Sequence, residues 1–293
     1  MTKVGVTGFS GRVGGVICSY LSAKGFDVIG LDMRSIATDR RNARFSNRRV
    51  TEIRHFFSKD RSSTIVTPLD DLEVIVHCAG YSGNAIFSNW ADIEYANVSL
   101  TGILCDAMLN ADRPLRFLHF SSSKVYSAGQ SNVNESGKLV ACDSNTYAGS
   151  KVSAENLIEK KLGRSLVNYG LIRLAPLDMD VGRGKLNMIR RVYSTRFPLP
   201  IVGQDCDINL AICSVETLQR LVSILVEQIL PNGPINMCDD EAVSLRGLML
   251  SSSPVSSIRI PIPKPFNMWL RSVFGAPVSM DNRTLRMYAT CKN

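Results

Sequence analysis

Three glycines at fixed spacing set the first constraint on this chain. Gly8-x-x-Gly11-x-x-Gly14 follows the run Lys3-Val4-Gly5-Val6-Thr7 and precedes Val16-Ile17-x-x-Tyr20-Leu21, where apolar residues recur with helical spacing. The segment reads as strand, turn and helix. Gly8 permits a tight turn, Gly11 lets a backbone approach a diphosphate, and Gly14 allows close packing of helix on strand, so the helix N-terminus can receive an anion. Spaced glycines alone are a weak signal. Here an acidic residue, Asp32, also ends the next apolar run, Val28-Ile29-Gly30-Leu31, at roughly the 20-residue offset expected of a dinucleotide-binding unit.

At 293 residues and 45% apolar content the chain can bury a large core. No apolar run reaches membrane-spanning length and the N-terminus has no signal-peptide pattern, so the expectation is a soluble, cytoplasmic protein without membrane contact. The eight cysteines (18, 78, 105, 142, 206, 213, 238 and 291) form no Cys-x-x-Cys pair. They read as reduced, mostly core residues and not as a disulfide framework or metal site.

The net charge of +8 is mostly local: between Arg34 and Arg61 nine basic residues stand against three acidic ones. The segment follows the second strand, where it could attract an anionic cofactor or substrate, although a solvated basic loop and helix is the plainer reading. No aromatic interleaving accompanies the arginines, which argues against a nucleic-acid partner.

Apolar runs at 3–7, 27–32, 53–57, 73–78, 115–121 and 166–174 read as strands, and 12–23, 91–110 and 146–162 carry helical spacing. This alternation predicts an α/β fold with a doubly wound parallel sheet. Glu73–Gly80 is a buried strand ending in a glycine turn at the carboxyl edge of the sheet, where such sheets bind ligands; His77 within it reads as a packed core histidine. After Arg173 prolines and glycines interrupt short segments. The expected division is a dinucleotide-binding domain over 1–175 and a smaller substrate lobe over 176–293, with 208–230 returning to the sheet. The proline-rich end from Pro261 onward suggests no role.

The chemistry lies further along. Tyr147-Ala-Gly-Ser-Lys151 opens a helical stretch, and i, i+4 spacing puts phenol and ammonium on one face. A nearby ammonium favours phenolate, as a general acid/base requires. Upstream, Leu118–Tyr126 runs from strand into a hydroxyl-rich turn, where a serine can hydrogen-bond a substrate oxygen.

Together these motifs resemble the extended short-chain dehydrogenase/reductases, and within them the NAD-dependent sugar-nucleotide epimerase/dehydratase group. The matches run in family order through Thr7–Gly14, Asp32, Val74–Gly80, Asn97, Ser121-Ser122-x-x-Val125-Tyr126, Tyr147-x-x-x-Lys151 and Ile172-Arg173, across roughly the first 60% of the chain. The resemblance implies a Rossmann fold and a catalytic set of Ser122, Tyr147 and Lys151. It implies cofactor contacts from Gly8, Phe9, Ser10, Gly11, Arg12, Val13, Gly14, Asp32, Arg34, Cys78, Ala79, Gly80, Asn97, Tyr147, Lys151 and Pro176. Ser82, Ser123, Lys124 and Arg183 are the candidate substrate residues, and a homodimer through helices 91–110 and 146–162 is the family's usual assembly.

Departures from the pattern narrow the reading. Family 4,6-dehydratases carry an acid pair where this chain has Ser123 and Lys124, which demotes dehydration. Leu174-Ala175-Pro176-Leu177 lacks the asparagine that commonly grips a substrate diphosphate, and Asp207 and Ser214 stand near positions usually held by an arginine and a helix-capping aspartate. Arg183, Arg190, Arg191 or Arg196 could supply the missing charge. Asp32 favours NAD, whereas Arg34, Arg40 and Arg41 could bind the extra phosphate of NADP. The expected activity is hydride transfer on a nucleotide sugar, as epimerase or keto-sugar reductase. The alternatives are a reductase of another ketone or alcohol, or a dinucleotide-sensing protein without catalysis.

Overall fold

The computed structural model describes residues 2–32, 50–55, 69–81, 89–130, 132–179, 185–194, 209–229, 231–252 and 280–281, and of Asp32 and residues 50–55 the backbone alone. Arg34, Ser82, Arg183, Arg196 and Asp207, most of the basic segment and the proline-rich end lie outside these residues. Contacts gather into two units: Met1–Ser121, Val140–Arg173 and Gln219–Ile235 form the first, and Ser122–Leu139, Leu174–Leu218 and Asn236–Asn293 the second.

The first unit is built on β1 (Lys3–Thr7), α1 (Arg12–Ala23), β2 (Asp27–Asp32), β3 (Val50–His55), β4 (Val74–His77), α2 (Trp90–Glu94), α3 (Leu100–Asn110), β5 (Leu115–Phe120), α4 (Tyr147–Leu162) and β6 (Val167–Leu174). Parallel pairing joins β3, β2, β1, β4, β5 and β6 in that order. Strand order therefore reverses between β1 and β4, the place where doubly wound sheets open a crevice for ligand. All four residues of β4 are buried, and so are five of the six in β5, as expected of parallel strands covered on both faces. Against one face, Leu104 and Met108 of α3 and Ile158 and Leu162 of α4 pack with Leu72, Ile75 and Phe117. Each such side chain contributes about 1.5–3 kcal/mol of burial.

Three features differ from expectation. The strand expected over 53–57 runs from Val50 to His55, with a register shift beside Val28 and Ile29. The single helix expected over 91–110 is broken by a π turn at Tyr95–Ser99 that carries the buried Asn97. A further strand follows the second unit's β7 (Leu177–Asp178), α5 (Lys185–Tyr193), β8 (Asn209–Leu210), β9 (Cys213–Ser214) and the unit-straddling α6 (Val215–Glu227). This is β10 (Gly233–Met237), a seventh strand next to β6. Its Gly-Pro-Ile-Asn-Met sequence shows no apolar run or alternation, and proline confines it to a sheet edge.

The second unit closes with β11 (Val243–Ser244) and α7 (Leu245–Ser252). Its small core joins Leu186 and Ile189 of α5, Leu210, Ile212, and Leu245, Leu248 and Met249 of α7. Ser214 caps α6 by accepting the Thr217 amide at 3.1 Å, while its own amide donates to Asp239 at 2.9 Å.

Candidate active site

The glycine turn closes where β1 ends. Gly8 has φ +65°, a conformation that side chains resist, and a Cβ there would lie 2.7 Å from the Ala79 backbone. The turn can therefore seat itself against the end of β4 only as glycine. Gly14 would place a Cβ 2.4 Å from the Gly8 carbonyl oxygen, so its role is to bring α1 onto the turn itself. The Phe9 ring fills the space above Gly30 of β2 and is buried. Ser10 is half-buried and Arg12 exposed. Helix α1 starts at Gly11 with no side-chain cap and no acidic residue in its first turn, so its leading N–H groups suit a diphosphate. The backbone of Asp32 ends β2, paired with His55.

Cys78, Ala79 and Gly80 leave the sheet beside this turn. A chain of buried hydrogen bonds fixes them. Thr101 Oγ1 donates to the Asn97 carbonyl at 2.8 Å, so it accepts from His77 Nε2 at 3.0 Å. His77 is held neutral, since burial and then the nearby Lys151 charge push it down to about 3. Its Nδ1 is thus the acceptor, Thr7 Oγ1 donates to it at 2.7 Å, and Thr7 in turn accepts the Ala79 amide at 3.1 Å. His77 is a directional spacer in the core and not a base. Asn97 completes the frame: its Oδ1 accepts the Tyr81 amide at 2.7 Å and its Nδ2 donates to Ser150 Oγ at 2.9 Å. A Cβ on Gly80 would fall 2.7 Å from Asn97 Oδ1 and 3.4 Å from Lys151 Nζ, so the β4 turn, Asn97 and Lys151 converge.

Tyr147 begins α4, where Thr146 Oγ1 accepts the Gly149 amide at 3.0 Å and closes the helix N-terminus. One turn later Lys151 is buried and donates to the Phe120 carbonyl at the end of β5, at 2.9 Å. Burial pushes its amine down to about 8, against the pull of Cys78 and Glu155. The sequence reading passed over Ser150, Thr101 and Glu155. Glu155 alone left a trace, as a carboxylate four residues beyond Lys151 on the same helix face.

In the second unit, Ser122 is the N-cap of a short 3-10 turn over Ser123–Val125, its hydroxyl accepting the Lys124 amide at 3.2 Å. Ser123 is buried, and burial pushes the Lys124 amine down. Pro176 is exposed, and its carbonyl accepts the Cys213 amide at 3.0 Å. Of the arginines that could face a diphosphate, Arg190 is paired with Asp178, Nη2 to Oδ2 at 2.7 Å. Among the described residues no group of three or more metal-ligating side chains occurs.

Fold and site together define a dinucleotide-binding α/β protein with a Tyr-x-x-x-Lys pair at its crevice. The family model of the NAD dependent epimerase/dehydratase family matches residues 4–176, more than half the chain, and the protein belongs to that family. The sequence matches no curated protein. Among solved structures, UDP-glucuronic acid 4-epimerase from Bacillus cereus in complex with UDP-glucuronic acid and NAD superposes with a TM-score of 0.72 at 19% identity, covering 99% of this chain and 93% of that one. A putative epimerase from Burkholderia cenocepacia gives 0.73 at 18%, over 98% and 91%. The human epimerase family protein SDR39U1 with NADPH gives 0.73 at 13%, over 98% and 94%. At these identities the likeness is one of fold.

Proposed function

We propose that the protein is an NAD-dependent enzyme that transfers hydride on a nucleotide sugar, as an epimerase or as a reductase of a keto-sugar. The observation that carries this reading is the intact Tyr147–Lys151 pair, with Lys151 buried beside Gly80 and hydrogen-bonded to the Phe120 carbonyl. The open N-terminus of α1 and the Gly8 turn fit a dinucleotide diphosphate. Bound there, the nicotinamide would accept the hydride in its oxidised form and donate it in its reduced form. Tyr147 exchanges a proton with the substrate hydroxyl, Lys151 holds the nicotinamide ribose and tunes Tyr147, and Ser122 orients the reacting oxygen. Asp32 at the end of β2 favours NAD. Arg34 is the residue that would accept NADP, the cofactor class of the human neighbour. Several neighbours were crystallised with UDP-sugars and NAD, which supports a nucleotide sugar here.

A second reading, reduction of a ketone or alcohol without a nucleotide, rests on two observations. Leu174–Leu177 lacks the usual diphosphate-gripping asparagine, and Arg190 is committed to Asp178. The intact pair argues against a purely sensing protein. A cytoplasmic homodimer pairing through α3 and α4 completes the proposal; no described helix is long and apolar enough to cross a membrane.

The deciding experiment incubates the purified protein with a panel of nucleotide sugars and their keto forms, with and without NAD(H) or NADP(H), following nicotinamide absorbance and product identity. A new stereoisomer without net nicotinamide change establishes the epimerase, and stoichiometric oxidation of reduced cofactor establishes the reductase. Dinucleotide binding with no reaction across the panel moves the substrate outside sugar nucleotides.

A further inference from the structure

One buried ionic cluster ties the ends of β5 and β6 to α4, and the proposed reaction leaves it without a role. Glu155, one turn beyond Lys151, accepts the Ser121 hydroxyl through Oε1. Arg173 donates through Nε to both carboxylate oxygens, at 3.3 and 3.2 Å, and through Nη2 to Oε2 at 2.8 Å. All three residues are buried. Stability is a poor reason for such burial, because apolar residues of similar volume commonly do as well as a buried ion pair.

The two histidines facing Lys151 carry no charge near neutral pH. Burial, with the Lys151 charge behind it, pushes His77 and His119 down into their neutral forms, and burial pushes the Cys78 thiol up. Cys78 and Glu155 are the two groups that pull the Lys151 amine up, and of these Glu155 is the one fixed in place by a buried ion pair. Arg173 and the phenol of Tyr147 complete the set, the first spent on Glu155.

We propose that Glu155 is a positioning residue: clamped by Arg173 and Ser121, it holds the turn of α4 that carries Lys151 against the ends of β5 and β6 and sets a fixed negative charge beside the amine. This rests on the proposed role of Lys151, so the test reads Lys151 directly as well as turnover. The full chain is labelled with 13C-lysine, and the Lys151 signal is assigned through Lys151→Arg. The wild-type amine should titrate near 8, and Glu155→Gln should lower that midpoint by about 1 pH unit or more. The alkaline limb of turnover should move down with it.

Glu155→Gln strands Arg173 without its partner, so the double variant Glu155→Gln/Arg173→Met separates folding from positioning. It should recover most of the lost melting temperature. It should also keep a lowered Lys151 midpoint and lose about tenfold in kcat with KM unchanged, whereas a merely structural clamp would return both to wild-type values and overturn the inference. A wild-type midpoint at about 6 or below, the range of buried lysines without a compensating charge, overturns it without any variant. If wild type turns over no substrate, the enzyme reading fails, while a shifted midpoint still supports the placement of the charge.

Discussion

Helices α1 and α4 both start beyond the carboxyl edge of the parallel sheet, yet their first turns are finished in opposite ways. At α1 the cap is Gly11, which offers no side-chain acceptor, and no acidic residue follows in the first turn. At α4 Thr146 accepts the Gly149 amide and is itself hydrogen-bonded to Ser144 at 2.9 Å. A helix end holds donors that must be satisfied from somewhere. Where the chain withholds a cap, those donors stay available to an anion. At α4, whose first residue is the proposed proton-transfer group Tyr147, the end is closed from within.

This contrast can be broken from either side. The largest effect is expected at the closed end: Tyr147→Phe should lower kcat about 10³-fold in a steady-state assay while dinucleotide affinity by titration stays at the wild-type value. Unchanged turnover would remove Tyr147 from the mechanism. Converting the open end into a closed one comes next. Gly11→Asp supplies both cap and negative charge, and should weaken NAD binding by about 10²-fold, roughly 2.7 kcal/mol, in isothermal titration; an unaltered Kd would show that the α1 terminus holds no phosphate. Gly8→Ala, which meets both the +65° backbone and the Ala79 contact, should cost about 2–3 kcal/mol of stability in denaturant unfolding.

The pH dependence of folding sharpens the comparison at Lys151. Its amine falls from 10.5 to about 8 on folding, so between those values the unfolded chain binds more protons and stability gains from this group as pH rises. The melting temperature of wild type relative to Lys151→Met should therefore climb between pH 8 and about 10, and a flat difference would mean that the amine is not buried in solution. The smallest effect is Thr146→Ala, about 1 kcal/mol of stability, with turnover lowered and dinucleotide affinity unchanged.

What could be read from sequence was what is local. The Gly8–Gly14 spacing, the strand ends at Asp32 and His77, and the i, i+4 pair Tyr147 and Lys151 each lie within a few residues and carry their geometry with them. The supports of the site are long-range. His77 meets Thr7 across 70 positions and Thr101 across 24, and Asn97 reaches Ser150 across 53. A threonine or serine at such a position looks like any other until the sheet order brings strands together. Arg173 was visible as part of a strand, but its partner Glu155 required the packing of α4 on β6. The edge strand β10 was hidden by its own composition, which offers pairing but no pattern.

The π turn at Tyr95–Ser99 has a consequence for how this chain tolerates changes in length. A π turn is an α-helix with one residue too many. Removing any single residue of the turn would let α2 and α3 run as one regular helix, a locally easier structure. It would leave α2 and α3 facing nearly as they do now, because one π turn spends about one residue more than an α turn on the same revolution, and its effect would fall on Asn97, which holds Tyr81 and Ser150. The extra residue thus serves to place Asn97, and a deletion that shifts Asn97 within the turn should be far harder to accommodate than substitutions of the segment's exposed side chains.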